Sequence, residues 1–194
     1  MNLYLKWIKK NLVNIGILTL FLVLLFVPDA KALLIRGLMT IGFYKPTVEN
    51  TILPATNLEG IQFKDISGKT IDLGDLKDKV IFINFWATWC PPCRAEMPSL
   101  HKLYAQFKND KNVVFIFVDA DDDLKKSSKF MADRQYELPL YAFASEIPKQ
   151  IFESALPTTV IFDRQGRLSF RHEGIANYND QKFVDFINKL KNTK

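Results

Sequence analysis

The chain has 194 residues, of which 48 % are apolar and 13 % aromatic, with 16 Phe. This length fits one domain of about 140 residues plus an appendage, and the composition is ample for a packed core. The formal net charge of +5 is mild and the basic residues are interleaved with acidic ones, which argues against a nucleic-acid partner.

An apolar segment from Leu12 to Val27 lies near the N-terminus. As a helix it would be about 24 Å long, slightly short of the ~30 Å hydrocarbon core of a bilayer, and residues 7–8 extend it. We expect residues 1–32 to be a membrane anchor rather than a cleaved signal peptide, because the segment exceeds the ~7–15 residues of a usual signal core. Cleavage is the alternative, since residues 30–32 have the small-x-small form of a cleavage site.

Basic residues precede this segment and indicate the side of the membrane on which the rest of the chain lies: Lys6, Lys9 and Lys10. Lysines before an apolar span favour an N-terminus that stays inside the cell. With or without cleavage, the following domain is therefore expected outside the cytoplasm.

Residues 33–53 predict a juxtamembrane helix and a linker. Leu34, Leu38 and Ile41 have the spacing of one helix face. The simplest interpretation is that this helix packs on the main domain or extends the anchor, and the alternative is a helix at the membrane surface. The polar stretch 45–54, with two prolines, follows as the linker.

Residues 54–194 predict one domain with the element order β-β-β-α-β-α-β-α-β-β-α. Its strands are expected at 62–66, 69–73, 80–86, 113–118, 138–143, 158–162 and 168–172, and its helices at 94–107, 123–136, 147–154 and the C-terminus. Continuous apolar strands that alternate with helices predict parallel pairing, and the closing hairpin adds an antiparallel edge. Asp121–Asp123 are expected in a loop and helix N-cap, because they lack the glycine and distal Glu of a calcium loop.

The only two cysteines, Cys90 and Cys93, lie where a buried strand meets a helix. A structural disulfide normally closes a longer loop, because a longer loop restricts the unfolded chain more. A metal site usually needs four ligands, and the only histidines, His101 and His172, are far apart in sequence. The spacing therefore favours a redox couple and no metal site.

The helix N-terminus assigns a different role to each thiol. Its dipole and free amides lower the pKa of a thiol at the first position, which makes Cys90 the attacking thiolate and Cys93 the resolving thiol. Pro91 loses only an amide that the helix would not use. Pro92 also lacks an N–H, so we predict a less acidic Cys90 and a more reducing couple than in a site with a donor there.

The segment FINFWATWCPPCRAEMPSL, together with LPTT at 156–159 before a strand, resembles the thioredoxin superfamily. More narrowly, it resembles the membrane-tethered TlpA/ResA-like thiol-disulfide oxidoreductases. The resemblance covers residues 54–194. It implies an α/β thioredoxin-like three-layer fold, with a central mixed β-sheet flanked by helices, behind an N-terminal membrane-anchor helix. It also implies a domain facing the periplasm or cell exterior, or a soluble periplasmic protein if the leader is cleaved.

The same resemblance implies which residues contact a substrate. Pro157 matches the family's cis-proline, which faces the cysteine pair, and its neighbour Leu156 would join it in substrate binding. The alternative is an ordinary trans proline in a turn. Trp89 would shield the rim of the site, and the alternative is a Trp that only packs.

Glu96 matches the acidic residue that ResA-like proteins place near the cysteines. A partly buried carboxyl group there would have a raised pKa and could exchange protons with Cys93. The alternative is a surface glutamate that complements the helix dipole. Asn84 departs from the buried Asp of classical thioredoxins, and because an amide does not titrate, the carboxylate role passes to Glu96.

The resulting hypothesis is a reductase without a cofactor. Its partners would be the membrane, through the N-terminal helix, disulfide-containing client proteins, with apocytochrome c as one client class, and a membrane electron donor that re-reduces the couple. A disulfide oxidant that uses the same cysteines is one alternative. A copper-binding chaperone is another, although copper-delivery relatives use a wider cysteine spacing and a histidine.

Overall fold

The structure is a computed structural model, and it describes residues 2–40, 44, 46 and 57–192. Most of the predicted linker at 45–54 lies outside the described residues. The same holds for Ile41, the third residue of the predicted juxtamembrane helix face.

Seven strands form one mixed sheet in the order β2-β1-β5-β4-β3-β6-β7. They are β1 (Gln62–Asp65), β2 (Thr70–Asp72), β3 (Val80–Trp86), β4 (Val113–Asp119), β5 (Leu140–Phe143), β6 (Thr158–Phe162) and β7 (Leu168–Glu173). Strands β3, β4 and β5 pair in parallel, whereas β1–β2, β1–β5, β3–β6 and β6–β7 pair antiparallel. The predicted mixed sheet with an antiparallel edge is confirmed.

The central strands are buried on both faces, which explains their continuous apolar sequences. All seven residues of β3 are buried, as are six of the seven in β4. Phe82 and Trp86 belong to the core on one face, and Ile81, Ile83 and Phe85 belong to the core on the other. The alternation of side chains along β3 therefore supplies both layers of the core.

Five α-helices are described: α1 (Asn2–Phe26), α2 (Pro28–Thr40), α3 (Pro91–Phe107), α4 (Leu124–Asp133) and α5 (Gln181–Asn192). Helices α3, α4 and α5 bury their apolar side chains in the core that contains Phe82. Two successive crossovers, β3-α3-β4 and β4-α4-β5, step across the sheet in the same direction. Because such crossovers are right-handed, they bring α3 and α4 to the same face.

The opposite face is covered by a 3₁₀ helix, Leu73–Leu76, and by the segment between β5 and β6. The predicted helix at 147–154 is wrong, because this segment forms turns. The amides of Ile151 and Phe152 both bond to the Pro148 carbonyl, which makes one turn only. Phe152 stacks on Phe85 with ring centroids 4.3 Å apart. So short a helix gains little from its own hydrogen bonds, and packing on the sheet decides the conformation.

Helix α4 begins as predicted and ends earlier. Asp123 is its N-cap, and its side chain accepts the Lys126 amide at 3.1 Å. The predicted end at Tyr136 is wrong, because the helix stops at Asp133 and Gln135 has φ = +57°. A left-handed residue just past the end is a common helix stop.

Helix α1 is 25 residues long, and its window Lys9–Phe26 has a mean hydropathy of 1.7. By length and composition it is the one helix in the described residues that could cross a membrane. From Leu12 to Phe26 nearly all its side chains are exposed, so they do not form part of the core of the domain.

Helix α2 packs on α3, as the simplest interpretation of residues 33–53 predicts. The contacting side chains are not the predicted ones, however. Ala32 and Met39 are buried against Ala95 of α3. Leu34 and Leu38 of the predicted face are 56 % and 38 % exposed.

Candidate active site

The two cysteines lie just beyond the carboxyl end of β3, at the N-terminus of α3. Cys90 is the N-cap, with φ −81° and ψ 106°, and its sulfur accepts the Cys93 amide at 3.3 Å. The two residues form a disulfide. Pro91 and Pro92 occupy the first helical positions and have no N–H. Within the first helical turn, the Cys93 amide is therefore the donor to the Cys90 sulfur.

The two sulfurs are covered to a similar degree. Cys90 is 3 % exposed and Cys93 is fully buried. Both belong to the core between α3 and the sheet. Cys90 is thus only slightly more exposed than Cys93.

The Leu156–Pro157 peptide bond is cis, as the family resemblance implies, so the trans alternative is wrong. Pro157 is buried and precedes Thr158, which pairs with Phe85 of β3. This register places the cis-proline beside the end of the strand that leads to Cys90. Leu156 is partly buried and contacts the core that contains both cysteines.

Trp89 forms an exposed rim next to the cysteines. Its side chain is 56 % exposed, and its indole Nε1 donates to Asp121 Oδ1 at 2.9 Å. The buried Asp119 carboxylate accepts the amides of Asp121, at 3.2 Å, and Asp123, at 2.9 Å, which orders this loop. The expected loop and N-cap at Asp121–Asp123 are confirmed.

Glu96 is fully buried one turn after Cys93, so the surface alternative is wrong. Its Oε1 accepts a hydrogen bond from Asn84 Nδ2 at 2.9 Å, and its Oε2 accepts the Ala176 amide at 3.3 Å. Burial raises the pKa of Glu96 from 4.5 to about 8, although both hydrogen bonds favour the charged form. Positions i and i+3 of a helix share a face, so Cys93 and Glu96 lie on the same side of α3.

Asn84 connects Glu96 to two residues that the sequence analysis missed. Its Nδ2 also donates to Thr159 Oγ1 at 2.9 Å, and the buried Tyr178 hydroxyl donates to the same oxygen at 2.8 Å. Burial and the nearby Glu96 carboxyl raise the pKa of Tyr178 well above its ordinary value. Thr159 lies inside the LPTT motif and could have been noticed, whereas nothing in the sequence singles out Tyr178.

A groove beside Trp89 adds a basic border to the site, and sequence reasoning did not find it as a unit. Its lining residues are Thr88, Trp89, Arg94, Lys126, Lys129, Phe130, Asp133 and Arg134. Arg94, next to Cys93 in sequence, and Arg134 both hold their guanidinium groups over the Phe130 ring. Both arginines also form ion pairs with Asp29 of α2.

Within the described residues, no group of three or more His, Cys, Asp or Glu side chains is placed to hold a metal ion. The described site contains the Cys90–Cys93 pair, the buried Glu96 carboxyl group and the polar side chains around it.

Comparisons with known proteins agree with this arrangement. The Redoxin family model matches residues 47–185. The thiol-disulfide oxidoreductase ResA of Bacillus cereus (strain ZK / E33L) is 38 % identical over 107 residues, which are 54 % of this chain and 60 % of that protein. The ResA of Halalkalibacterium halodurans is 28 % identical over 152 residues, 77 % of this chain and 85 % of that protein. The chain thus spans about three fifths of the length of the Bacillus cereus relative.

Two solved structures show the same fold. A putative thiol:disulfide interchange protein DsbE from Chlorobium tepidum has a TM-score of 0.57 at 21 % identity, over 76 % of this chain and 97 % of that one. A putative thiol-disulfide oxidoreductase from Bacteroides vulgatus has a TM-score of 0.60 at 23 % identity, over 73 % of this chain and 99 % of that one. The predicted thioredoxin-like fold is confirmed.

Proposed function

The chain belongs to the Redoxin family, and we propose that it is a thiol-disulfide oxidoreductase that reduces client disulfides through Cys90 and Cys93. The observation that carries this proposal is the cysteine pair itself. Cys90 caps α3 and its sulfur receives the Cys93 amide, while Cys93 is buried in the core behind it. A thiolate at a helix N-terminus is stabilised by the dipole and by N–H donors, which suits it for attack on a disulfide.

The first step is attack by the Cys90 thiolate on one sulfur of a client disulfide. A bond forms between Cys90 and that sulfur, the client S–S bond breaks, and the other client sulfur leaves as a thiolate. Trp89, next to Cys90 in sequence, and Leu156 and Pro157, just before β6, would contact the client chain. As the family resemblance implies, backbone groups next to the cis-proline would bind an extended segment of the client.

The second step is attack by Cys93 on the mixed disulfide. The Cys93 thiolate bonds to the Cys90 sulfur, and the second client sulfur leaves as a thiolate, so two electrons pass to the client. Cys93 must lose its proton first. Glu96 lies on the same face of α3, and with a pKa raised to about 8 it would exchange that proton near neutral pH.

The proposed location is outside the cytoplasm, at a membrane. Helix α1 is long and apolar enough to serve as the anchor, and the lysines before it favour an exported domain.

Under this proposal the clients are disulfide-containing proteins, with apocytochrome c as one class, and a membrane electron donor restores the dithiol. A disulfide oxidant would use the same residues in the opposite direction. The geometry offers no observation that favours the copper-binding alternative.

Trapping tests the proposal directly. In Cys93→Ala the attacking thiolate remains while the resolving thiol is lost, so mixed disulfides should accumulate through Cys90 when a client disulfide is added. Non-reducing electrophoresis and mass spectrometry would detect them. Cys90→Ala is the matched control and should trap few or none. Equal trapping by both variants, or none by either, would contradict the proposal.

A further inference from the structure

Helix α2 has two apolar faces, and only one of them packs against the domain. The inner face places Ala32, Ile35 and Met39 against Ala95 of α3 and Ile175. The outer face consists of Leu33, Leu34 and Leu38, which are 66 %, 56 % and 38 % exposed. At 3.6 residues per turn these three leucines lie within an arc of about 140°.

The outer face is continuous with the apolar helix α1. Only Val27 separates the two helices, and its backbone joins them, since its amide bonds to Val23 and its carbonyl accepts from Ala30 and Lys31. Pro28, which has no N–H, begins α2 and interrupts the hydrogen-bond ladder at this point. Leu33 is therefore seven residues beyond the end of α1. With α1 in a bilayer, the outer leucines start at the level of the lipid headgroups.

The inner face is tied to the active-site helix by polar contacts as well. The Asp29 carboxylate pairs with Arg94 and, at 3.0 Å, with Arg134. Arg36 donates to the Arg94 carbonyl at 3.4 Å. Arg94 follows Cys93 directly in sequence, so these contacts reach the helix turn that holds the cysteine pair.

We propose that α2 is an interfacial adapter helix, with its leucine face in the boundary between lipid headgroups and acyl chains and its inner face holding α3. Helices of this kind bury their apolar face about 5–10 Å into that boundary. Axes of packed helices lie about 8–10 Å apart. The adapter therefore keeps the cysteine pair close to the bilayer surface.

This placement selects a kind of partner, an inference that rests on the proposed function. The partner that fits is a membrane protein whose own cysteine pair lies near the bilayer surface. A disulfide far above the membrane would be reached less easily, because α2 binds the domain to the surface.

Lipid contact of the outer face is tested by fluorescence quenching in the full-length chain. The reporter variant carries Leu34→Trp in a Trp7→Phe background and is placed in vesicles with spin-labelled lipid. Its tryptophan fluorescence should be quenched much more strongly than that of the protein with Trp7→Phe alone. Lys149→Trp is the control, since Lys149 is 84 % exposed on the opposite face of the sheet. Equal quenching of the two reporters would overturn the proposal. So would a Leu34→Trp reporter shielded from lipid by a second copy of the chain.

The partner inference is tested with two transmembrane peptides in the same vesicles. They carry one identical disulfide, about two or about twenty residues beyond the span. The reduced full-length protein should reduce the near disulfide faster, and Asp29→Ala should lower the near-to-far rate ratio about fivefold. Glu59→Ala, which removes an exposed carboxylate paired with Lys77 away from the cysteines, should leave the ratio unchanged.

The outcomes separate this inference from the proposed function. An unchanged ratio in Asp29→Ala, with brisk reduction of both peptides, overturns the inference and leaves the reductase intact. Failure of the wild type to reduce either peptide or a soluble disulfide contradicts the reductase, and the quenching result then decides the position of α2 alone.

Discussion

Glu96 is an ionisable residue that the fold removes from water. It is fully buried, and its pKa of about 8 is that of a group neutral at pH 7 and charged at pH 9. Desolvation outweighs two hydrogen bonds that favour the anion. A carboxyl group tuned in this way suits proton exchange with a thiol, whose ordinary pKa of about 8.5 is close to the same value.

The raised pKa of Glu96 also predicts how the free energy of unfolding depends on pH. In the unfolded chain Glu96 releases its proton near pH 4.5, whereas the folded protein holds it to about pH 8. Between these values the unfolded state binds fewer protons, so the free energy of unfolding should fall as pH rises, by up to about 1.4 kcal/mol per pH unit. Urea denaturation of the full chain in detergent at pH 5, 6, 7 and 8 measures this slope.

Glu96→Gln should remove most of that slope, because glutamine is neutral at every pH. Burial also raises the pKa of Asp119, so the difference between the variant and the wild type isolates Glu96. Glu153→Gln, on an exposed side chain, is the control and should keep the wild-type slope. A wild-type stability that rises steadily from pH 5 to 8 would contradict the assignment.

The residue scale also shows what the sequence could and could not predict. The family resemblance predicts Glu96 near the cysteines, and one helix sets its distance from Cys93 locally. Its complete burial was not predictable, since that depends on Asn84 and on the chain at Ala176, which pack against α3 from elsewhere. The family resemblance predicted which group is present, and long-range packing set its pKa.

At the scale of elements, α4 depends on its N-cap. Asp123→Ala removes the carboxylate that accepts the Lys126 amide and should cost about 1 kcal/mol of folding free energy. Asp123→Asn keeps an acceptor at the same place and should stay close to the wild type. Urea midpoints compare the three proteins. Equal destabilisation by both substitutions would show that the cap is not the cause.

The Tyr178 hydroxyl group links the segment before α5 to β6 by a hydrogen bond to Thr159. Tyr178→Phe removes the donor to Thr159 Oγ1 while keeping the ring in the core. We expect a loss of about 1 kcal/mol. Tyr104→Phe, on a partly buried tyrosine of α3, is the matched control. A Tyr178→Phe variant as stable as Tyr104→Phe would argue against the buried network.

The strands were predictable, including the short β1, β2 and β5, whereas the segment between β5 and β6 was not. The continuous run in β3 can be satisfied only by burial on both faces, so its sequence predicts it well. The segment at 147–154 has apolar residues at helical spacing but folds as turns, because Phe152 stacks on Phe85 across the sheet. Likewise, the leucine spacing in α2 indicated a helix correctly and its packed face incorrectly.

At the scale of the whole molecule, the candidate site is assembled from segments far apart in the chain. The cysteine pair and Glu96 come from α3, Asn84 from β3, Pro157 and Thr159 from the β6 region, and Tyr178 from the approach to α5. Helix α2 adds Asp29, which lies three residues beyond the end of α1. The sequence motif around the cysteines was enough to identify the cysteine pair and Glu96. Pro157 and Asn84 were also named from the family resemblance, whereas Thr159, Tyr178 and Asp29 required the fold, because no pattern links residues so distant.

The central claim is that Cys90 and Cys93 form a reversible, reducing couple. A redox titration of the full-length protein against glutathione or dithiothreitol buffers, followed by mass spectrometry of trapped thiols, measures its potential. We predict one two-electron transition near or below about −270 mV, the value of thioredoxin, because Pro92 lacks an N–H that could otherwise join the Cys93 amide in donating to the Cys90 thiolate. No reversible couple, or a strongly oxidising potential near about −120 mV, would contradict it.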